Sequence, residues 1–291
     1  MNERLRGVAL VGAAAALWST GGVLVRLLET QNSWTTIFWR SASAFAFLLA
    51  FIVIANRGAT IRLFRAMGRP GLLVGVCFAS ASISMVIALS LTSVARMLII
   101  LSVTPLIAAV FGRIFVKEAI SPATYAAIAA VIVGMVIMVS GTESSGSLLG
   151  DFFALLMAVS YAGAIVTSRR YPQIGMMSAA CLGAGCAMVL SIPFADPLSV
   201  SAHDLPIMLI FGAGQLGGAM ALFVTGVRLI PAALSALLAM IEPILGPVWV
   251  WLALGERPAA TVLIGGAIVI VSVAVKTVLD ARQAIPEPPA L

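Results

Sequence analysis

"MIEPILGPVWVWLALGE", Met240 to Glu256, sets a glutamate and two prolines into an otherwise apolar run. Glu242 and Pro243 stand side by side, one a charge and the other a helix breaker, where a soluble core helix would carry neither. The rest of the chain says which solvent this run was built for. Of 291 residues, 62% are hydrophobic and 10% charged, against about 25% charged in an ordinary globular domain. Apolar runs of about 20 residues, the length that crosses a bilayer, recur from end to end. The composition therefore fits the membrane as solvent, with no stretch left over for a soluble domain.

Polar interruptions predict ten helices, at 5–28, 35–55, 70–89, 94–116, 121–141, 148–168, 174–195, 205–227, 232–253 and 259–279. An even number brings both termini to one side. With the N-terminus inside, the inner segments hold thirteen of the 17 basic residues and the outer ones only Arg26, Arg96 and Arg257, with Arg40 inside the second helix. The positive-inside rule then puts both termini in the cytoplasm. The net charge of +6 becomes an orientation signal, and no nucleic acid is expected as a partner. The basic start "MNERLRGVAL" opens an apolar run longer than a signal-peptide core and without a small-residue cleavage site, so it reads as a retained first helix. Cys77, Cys181 and Cys186 fall inside apolar runs at no metal-ligand spacing, and His203, the single histidine, lies in a connection. Neither a disulfide framework, a metal site nor a cofactor is expected.

The decisive pattern is internal. Laying "TPLIAAVFGRIFVKEAI" (Thr104 to Ile120) over "EPILGPVWVWLALGERP" (Glu242 to Pro258) pairs Pro105 with Pro243 and Glu118 with Glu256, 138 positions apart. The same offset pairs Ala95 with Ala233 and Ala88 with Gly226, while Trp18 and Arg26 return 143 positions on as Tyr161 and Arg169. The glycine- and serine-rich "GTESSGSLLGD" (Gly141 to Asp151) reads as the linker. This divides the chain into 1–141, helices one to five, and 142–291, helices six to ten with a short cytoplasmic tail. Five spans per unit force the second unit upside down. The expected fold is an all-α integral membrane protein, its ten transmembrane helices arranged as two inverted five-helix repeats around a central cavity. That is an architecture of alternating-access transporters.

The segments "LWSTGGVLVR" in the first helix, "FWRSASAFAF" in the second and "IALSLTSVARMLIILSVTPL" across the third and fourth complete a likeness that runs over residues 5–280. In this order, with the repeated proline and glutamate, the chain resembles the drug/metabolite transporter superfamily in its EamA-like branch. The resemblance implies a multi-pass carrier of the bacterial inner membrane, often an exporter of amino acids or related metabolites. It also implies that helices one to four and six to nine surround the cavity while the fifth and tenth lie outside. The seventh helix, "GMMSAACLGAGCAMVL", has no counterpart of Arg40, so the halves are chemically unequal at that level.

Glu242 is expected about 15 Å into the ninth helix, near the midplane. There a carboxylate costs about 2.5–3.5 kcal/mol by insertion scales unless it is paired, protonated or wet. It reads either as a cavity acid that binds a substrate amine or cycles a proton, or as a structural group beside the backbone disturbed at Pro243. Pro105 and Pro243 are expected to kink their helices, and Pro247 to repeat the disturbance, as hinges or shapers of the cavity. Arg40, about 7 Å deep, can snorkel outward or turn inward toward a substrate carboxylate or Glu242. Gln215, with Gly214 and Gly217 in "FGAGQLGGAM", reads as cavity wall. Ser19, Ser82 and Thr104 add hydroxyls to the candidate pathway, and Trp18, Tyr161 and Trp249 aromatic walls. Small residues at four-residue spacing (Gly12, Ala16, Thr20; Ala126, Ala130, Gly134; Ala154, Ala158, Ala162) predict close helix packing. Glu118 and Glu256 read as caps of the helices that follow them.

The function expected is that of a secondary transporter exporting small amphipathic metabolites such as amino acids. Its partners would be a small-molecule substrate, the lipid bilayer and, as candidate coupling ion, protons; monomer and homodimer are equally open. The sequence holds no GxxxxGK[ST] loop to bind a nucleotide, and no serine-histidine pair within the membrane, HExxH or paired aspartates. A non-transporting scaffold or receptor is the second reading, and an intramembrane enzyme the third.

Overall fold

The computed structural model describes residues 3–56, 59–117, 122–140, 147–171, 174–230, 238–239, 241–255 and 257–283. Glu118, Glu256 and the boundary at 141/142 lie outside them. Every described element is helical, the form in which a chain in lipid satisfies its own backbone hydrogen bonds. In chain order they are α1 (Glu3–Arg26), α2 (Ser33–Asn56), α3 (Thr60–Leu91), α4 (Val94–Phe115), α5 (Pro122–Ser140), α6 (Leu148–Arg170), α7 (Met176–Ser191), α8 (Asp204–Gly226), α9 (Ile241–Leu254) and α10 (Ala260–Gln283). Six of these, α1 to α4, α6 and α8, are long and apolar enough to cross a membrane, and the others contain shorter apolar stretches.

α3 packs against α6 and α7, and α8 against α1 and α2; α4 touches α6, and α9 touches α1. Three pairs complete the bundle: α2 with α7, α4 with α9 and α5 with α10. Small residues set the closest approaches. Gly134 of α5 faces the Gly265 carbonyl of α10, and Gly183 of α7 faces the backbone of Gly75 and Ala79 on α3. Ala154, Ala158 and Ala162 of α6 are fully buried, as their spacing predicts. The stripe expected on α1 is displaced, however: Gly12 faces open space, and the buried face carries Gly7, Val11, Ala14, Ala15 and Ser19. Spacing by four defines parallel stripes equally well, and only the neighbours choose among them.

Two departures from expectation matter for the site. The connection before α3, read as a loop because of its arginines, is helical from Thr60 to Met67 and turns at Gly68 (φ 55°, ψ −157°) into the long apolar part of α3. Leu63, Phe64 and Met67 pack inward beside Phe78, while Arg62 and Arg65 face out, so the segment is amphipathic rather than a loop. Only glycine adopts that Gly68 geometry freely, and Gly68→Ala is expected to destabilise the fold by about 1–3 kcal/mol, read as a lowered melting temperature in detergent.

The second departure is at the repeated proline. α4 breaks at Ser102–Val103, and Pro105 opens a new helical segment, Thr104–Phe111. Glu242 and Pro243 lie within the described helical residues of α9. Proline suits a first helical turn because its missing amide proton has no intrahelical partner there. The interior kink expected at Pro105 is therefore a helix start. α4 continues through a widened π turn at Gly112–Val116, and α8 through a longer one at Ile210–Gly218.

Candidate substrate site

Arg40 of α2 is 2% exposed. Its head turns inward, not out to the interface. Nη1 donates to Ser82 Oγ of α3 at 2.6 Å, and Nη2 reaches Met85 Sδ and Gln215 Oε1, both at 3.4 Å. The guanidinium carbon lies 4.4 Å from the centre of the Phe211 ring. Nε has no partner among the described residues. All these partners are neutral, so a fixed cation is held in the bundle interior with hydrogen-bonding capacity to spare, since arginine carries five N–H donors.

Both halves of the chain build this arrangement. Gly212 sits directly on the Arg40 carbonyl and on Ser43, which lets α8 approach α2 closely enough for Gln215 and Phe211 to meet the guanidinium. Gln215 is held in turn: its Nε2 donates to the Trp18 carbonyl of α1 at 2.9 Å. That bond leaves Oε1 for Arg40 and sets the amide orientation through the network. The wide turns of α8 run through this stretch, and such turns are frequent at functional sites.

The other candidate residues fall around this centre or beside it. Trp18 packs against Phe223, their rings tilted by 50° with centres 5.1 Å apart. Ser19 is buried, donates to the Ala16 carbonyl and accepts from Trp249 Nε1 at 2.9 Å, tying α1 to α9. Tyr161 meets Phe78 edge to face at 6.0 Å. Glu242 is half-buried, and no ion pair joins it to Arg40 among the described residues. Thr104 bonds back to the Leu101 carbonyl at 2.5 Å. Gly217 lies against the Phe47 ring, Gly214 makes ordinary contact with Ile210, and Pro247 lines a small cavity with Val94, Val250 and Arg257. The sequence reading missed Gly212, Phe211 and Met85, whose residue types look like packing until α2 and α8 are brought together.

Further polar contacts join loops and helix ends. The Asp204 carboxylate accepts from the backbone amides of Glu29 and Thr30 at 3.0 and 2.9 Å, and Trp39 Nε1 donates to the Pro197 carbonyl. Arg96, 1% exposed, is paired with Asp151.

The family model of the EamA-like transporters matches residues 5–140 and, a second time, residues 148–278. The chain belongs to the EamA-like transporter family. This EamA-like protein is thus a multi-pass membrane protein of the drug/metabolite transporter type, and the family's members are transporters, not enzymes. A crystal structure of a protein 21% identical in sequence superposes with a TM-score of 0.67, covering 96% of this chain and 99% of its own; at that identity the likeness speaks for the fold alone. A search of curated proteins finds none that matches.

Proposed function

We propose that this EamA-like protein is a secondary transporter that exports small amphipathic metabolites, amino acids among them, by alternating access of two inverted five-helix halves. The observation that carries the substrate class is Arg40. A buried cation whose hydrogen-bond partners are all neutral invites an anion, because a charge in a low-dielectric interior is stabilised chiefly by an opposite charge. A substrate carboxylate supplies that charge transiently. Its ammonium finds Glu242, and its apolar part finds Trp18, Trp249 and Met85. A sugar phosphate would call for several basic residues, where this site has one.

The packing pattern supports the inverted halves. Exchanging α1–α5 for α6–α10 turns the contacts α3–α6, α3–α7 and α4–α6 into α8–α1, α8–α2 and α9–α1, all of them present. The same exchange maps α2–α7, α4–α9 and α5–α10 onto themselves. Ten spans, both termini in the cytoplasm of a bacterium and the inner membrane as location follow from this reading together with the charge bias. Protons are the proposed coupling ion, with Glu242 as their carrier.

The test is counterflow of labelled amino acids in proteoliposomes, with and without a pH gradient. The expected result is exchange in both cases and accumulation only with the gradient. No exchange of any amino acid across a broad panel overturns the proposal. Glu242→Gln is expected to abolish the response to the gradient while lowering exchange by no more than about threefold, a change of under 1 kcal/mol. A gradient response that survives the substitution removes Glu242 from coupling.

A further inference from the structure

Thr60–Met67, the helical segment ahead of the Gly68 turn, sorts its side chains onto two opposite sides. Leu63, Phe64 and Met67 share one, and Ile61, Arg62, Arg65 and Ala66, all exposed, share the other, as positions spaced by one and four residues do at 3.6 residues per turn. The inner side packs on two buried clusters. One holds Leu48 and Ile52 of α2, Cys181 of α7 and Met220 of α8, and the other Val74 of α3, Ala164 of α6 and Ala179 of α7. The segment is thus fixed to helices from both halves of the chain. Its outer side is open, with Ile61 67% exposed.

That open side is strongly basic. Arg69, just past the Gly68 turn, is also exposed, which brings three arginines into eight residues. No acidic residue stands between Glu29 and Glu118, and Arg62, Arg65 and Arg69 make no ion pair or side-chain hydrogen bond among the described residues. Tyr171 and Ile174, which belong with Met67 to one cluster, follow the exposed Arg169 and Arg170, so the neighbouring helix end adds charge of the same sign. Orientation by the positive-inside rule requires only that such charges be present. It does not require a helix that gathers them on one side next to an exposed isoleucine. The place of the segment supplies a partner. Val53 and Ile54 near the end of α2 are exposed, and so are Leu72, Leu73 and Val76 of α3. Apolar surface for acyl chains therefore stops on one side of the segment and resumes three residues after Arg69, which puts the arginines at the level of the lipid headgroups.

We propose that the outer side of Thr60–Met67, together with Arg69, is a docking surface for anionic phospholipid headgroups. Arg62, Arg65 and Arg69 donate to phosphate oxygens, which the planar guanidinium fork matches with two parallel hydrogen bonds, and Ile61 rests at the acyl boundary. A zwitterionic headgroup carries its own cation beside the phosphate and an anionic one does not, so a surface with three arginines and no carboxylate selects by net charge. Because the other side of the segment packs on α2, α7 and α8, the bound headgroup also holds the segment against those helices. The contact is independent of what the protein transports and of which leaflet the segment faces.

Lipid quenching tests this. In a background with Cys77, Cys181 and Cys186 replaced by serine, a fluorophore is attached at Ala66→Cys on the basic side, and in a second sample at Leu198→Cys, a position 96% exposed in the α7–α8 connection. The protein is placed in phosphatidylcholine vesicles containing small amounts of spin-labelled phosphatidylglycerol or spin-labelled phosphatidylcholine. At Ala66, half-quenching is expected at about tenfold less of the anionic lipid than of the zwitterionic one, a modest return for three arginines near the membrane surface. At Leu198 the two lipids are expected to quench alike. R62Q/R65Q/R69Q is expected to remove the preference at Ala66. Equal quenching by both lipids at Ala66 overturns the proposal, and this comparison needs no arginine variant to fold. A preference that survives in the folded triple variant also overturns it. So does a preference abolished by millimolar inorganic phosphate at constant ionic strength, which would give the arginines to a soluble anion instead of a lipid.

Discussion

Arg40→Gln is expected to lower exchange of carboxylate-bearing substrates by about a hundredfold, the effect of removing about 3 kcal/mol of charge-assisted hydrogen bonding from a site with little water. Glutamine keeps polar atoms near Ser82 and Gln215 but has no charge to offer a carboxylate. Arg40→Lys keeps the charge and loses the planar fork, so about a tenfold loss is expected there. Stability separates this role from a structural one. An arginine retained for packing should cost stability when replaced. One that waits for an anion, with Ser82, Met85 and Gln215 as its hydrogen-bond partners among the described residues, is a net burden while empty. Replacing buried ionic groups by apolar residues of similar volume is often neutral or stabilising. Arg40→Met is thus expected to melt no lower than the parent protein without substrate, and to lose the rise in melting temperature that an amino acid gives the parent. A marked fall in the empty protein's melting temperature, with substrate protection intact, would assign Arg40 to the scaffold.

The fold class was legible in the sequence because a bilayer imposes a length and a composition on whatever crosses it, and apolar runs report both. The repeat was legible because proline and glutamate are rare enough in such runs for their spacing to stand out. What α1 packs was not, since Gly12, Ala16 and Thr20 satisfy the same four-residue rule as Gly7, Val11 and Ala15. Nor was the helical Thr60–Met67 segment, whose arginines look like a loop until Leu63, Phe64 and Met67 are seen to share the inner face. Pro105 announced a disturbance without saying whether it kinked a helix or began one.

For the site, titratable residues were easy to find and their partners were not. Arg40 and Glu242 stood out as charges in apolar runs, and the tempting inference was a pair. The structure instead gives Arg40 neutral partners on α3 and α8, with no ion pair to Glu242 among the described residues. A contact between residues 40 and 215 depends on how α2 meets α8, a tertiary fact that no periodicity within either helix contains. Arg96 and Asp151 were hidden for the opposite reason: both lie near helix starts, where charged residues are ordinary, and only their burial and mutual contact mark them.

Gly212→Ala is expected to destabilise the protein by about 3 kcal/mol, at the upper end of the cost of overpacking, and to weaken substrate exchange along with it. The added methyl would overlap the Arg40 carbonyl and the Ser43 hydroxyl. Ser43 can rotate away, but the carbonyl belongs to α2 and moves only if the helix moves. Displacing α2 from α8 also pulls the guanidinium from Gln215 and Phe211, so the loss of function should exceed what the remaining folded fraction explains. Two residues on, Gly214 supplies the control. Its methyl would come no nearer than 3.7 Å to Ile210 of the same helix, an ordinary contact, and alanine is the better helix former by about 1 kcal/mol. Gly214→Ala is therefore expected to leave exchange unchanged and to hold or raise the melting temperature. Equal effects from the two substitutions would mean that α8 responds to lost glycine flexibility in general. Opposite effects would place the constraint at the one point where α8 rests on the backbone that carries Arg40.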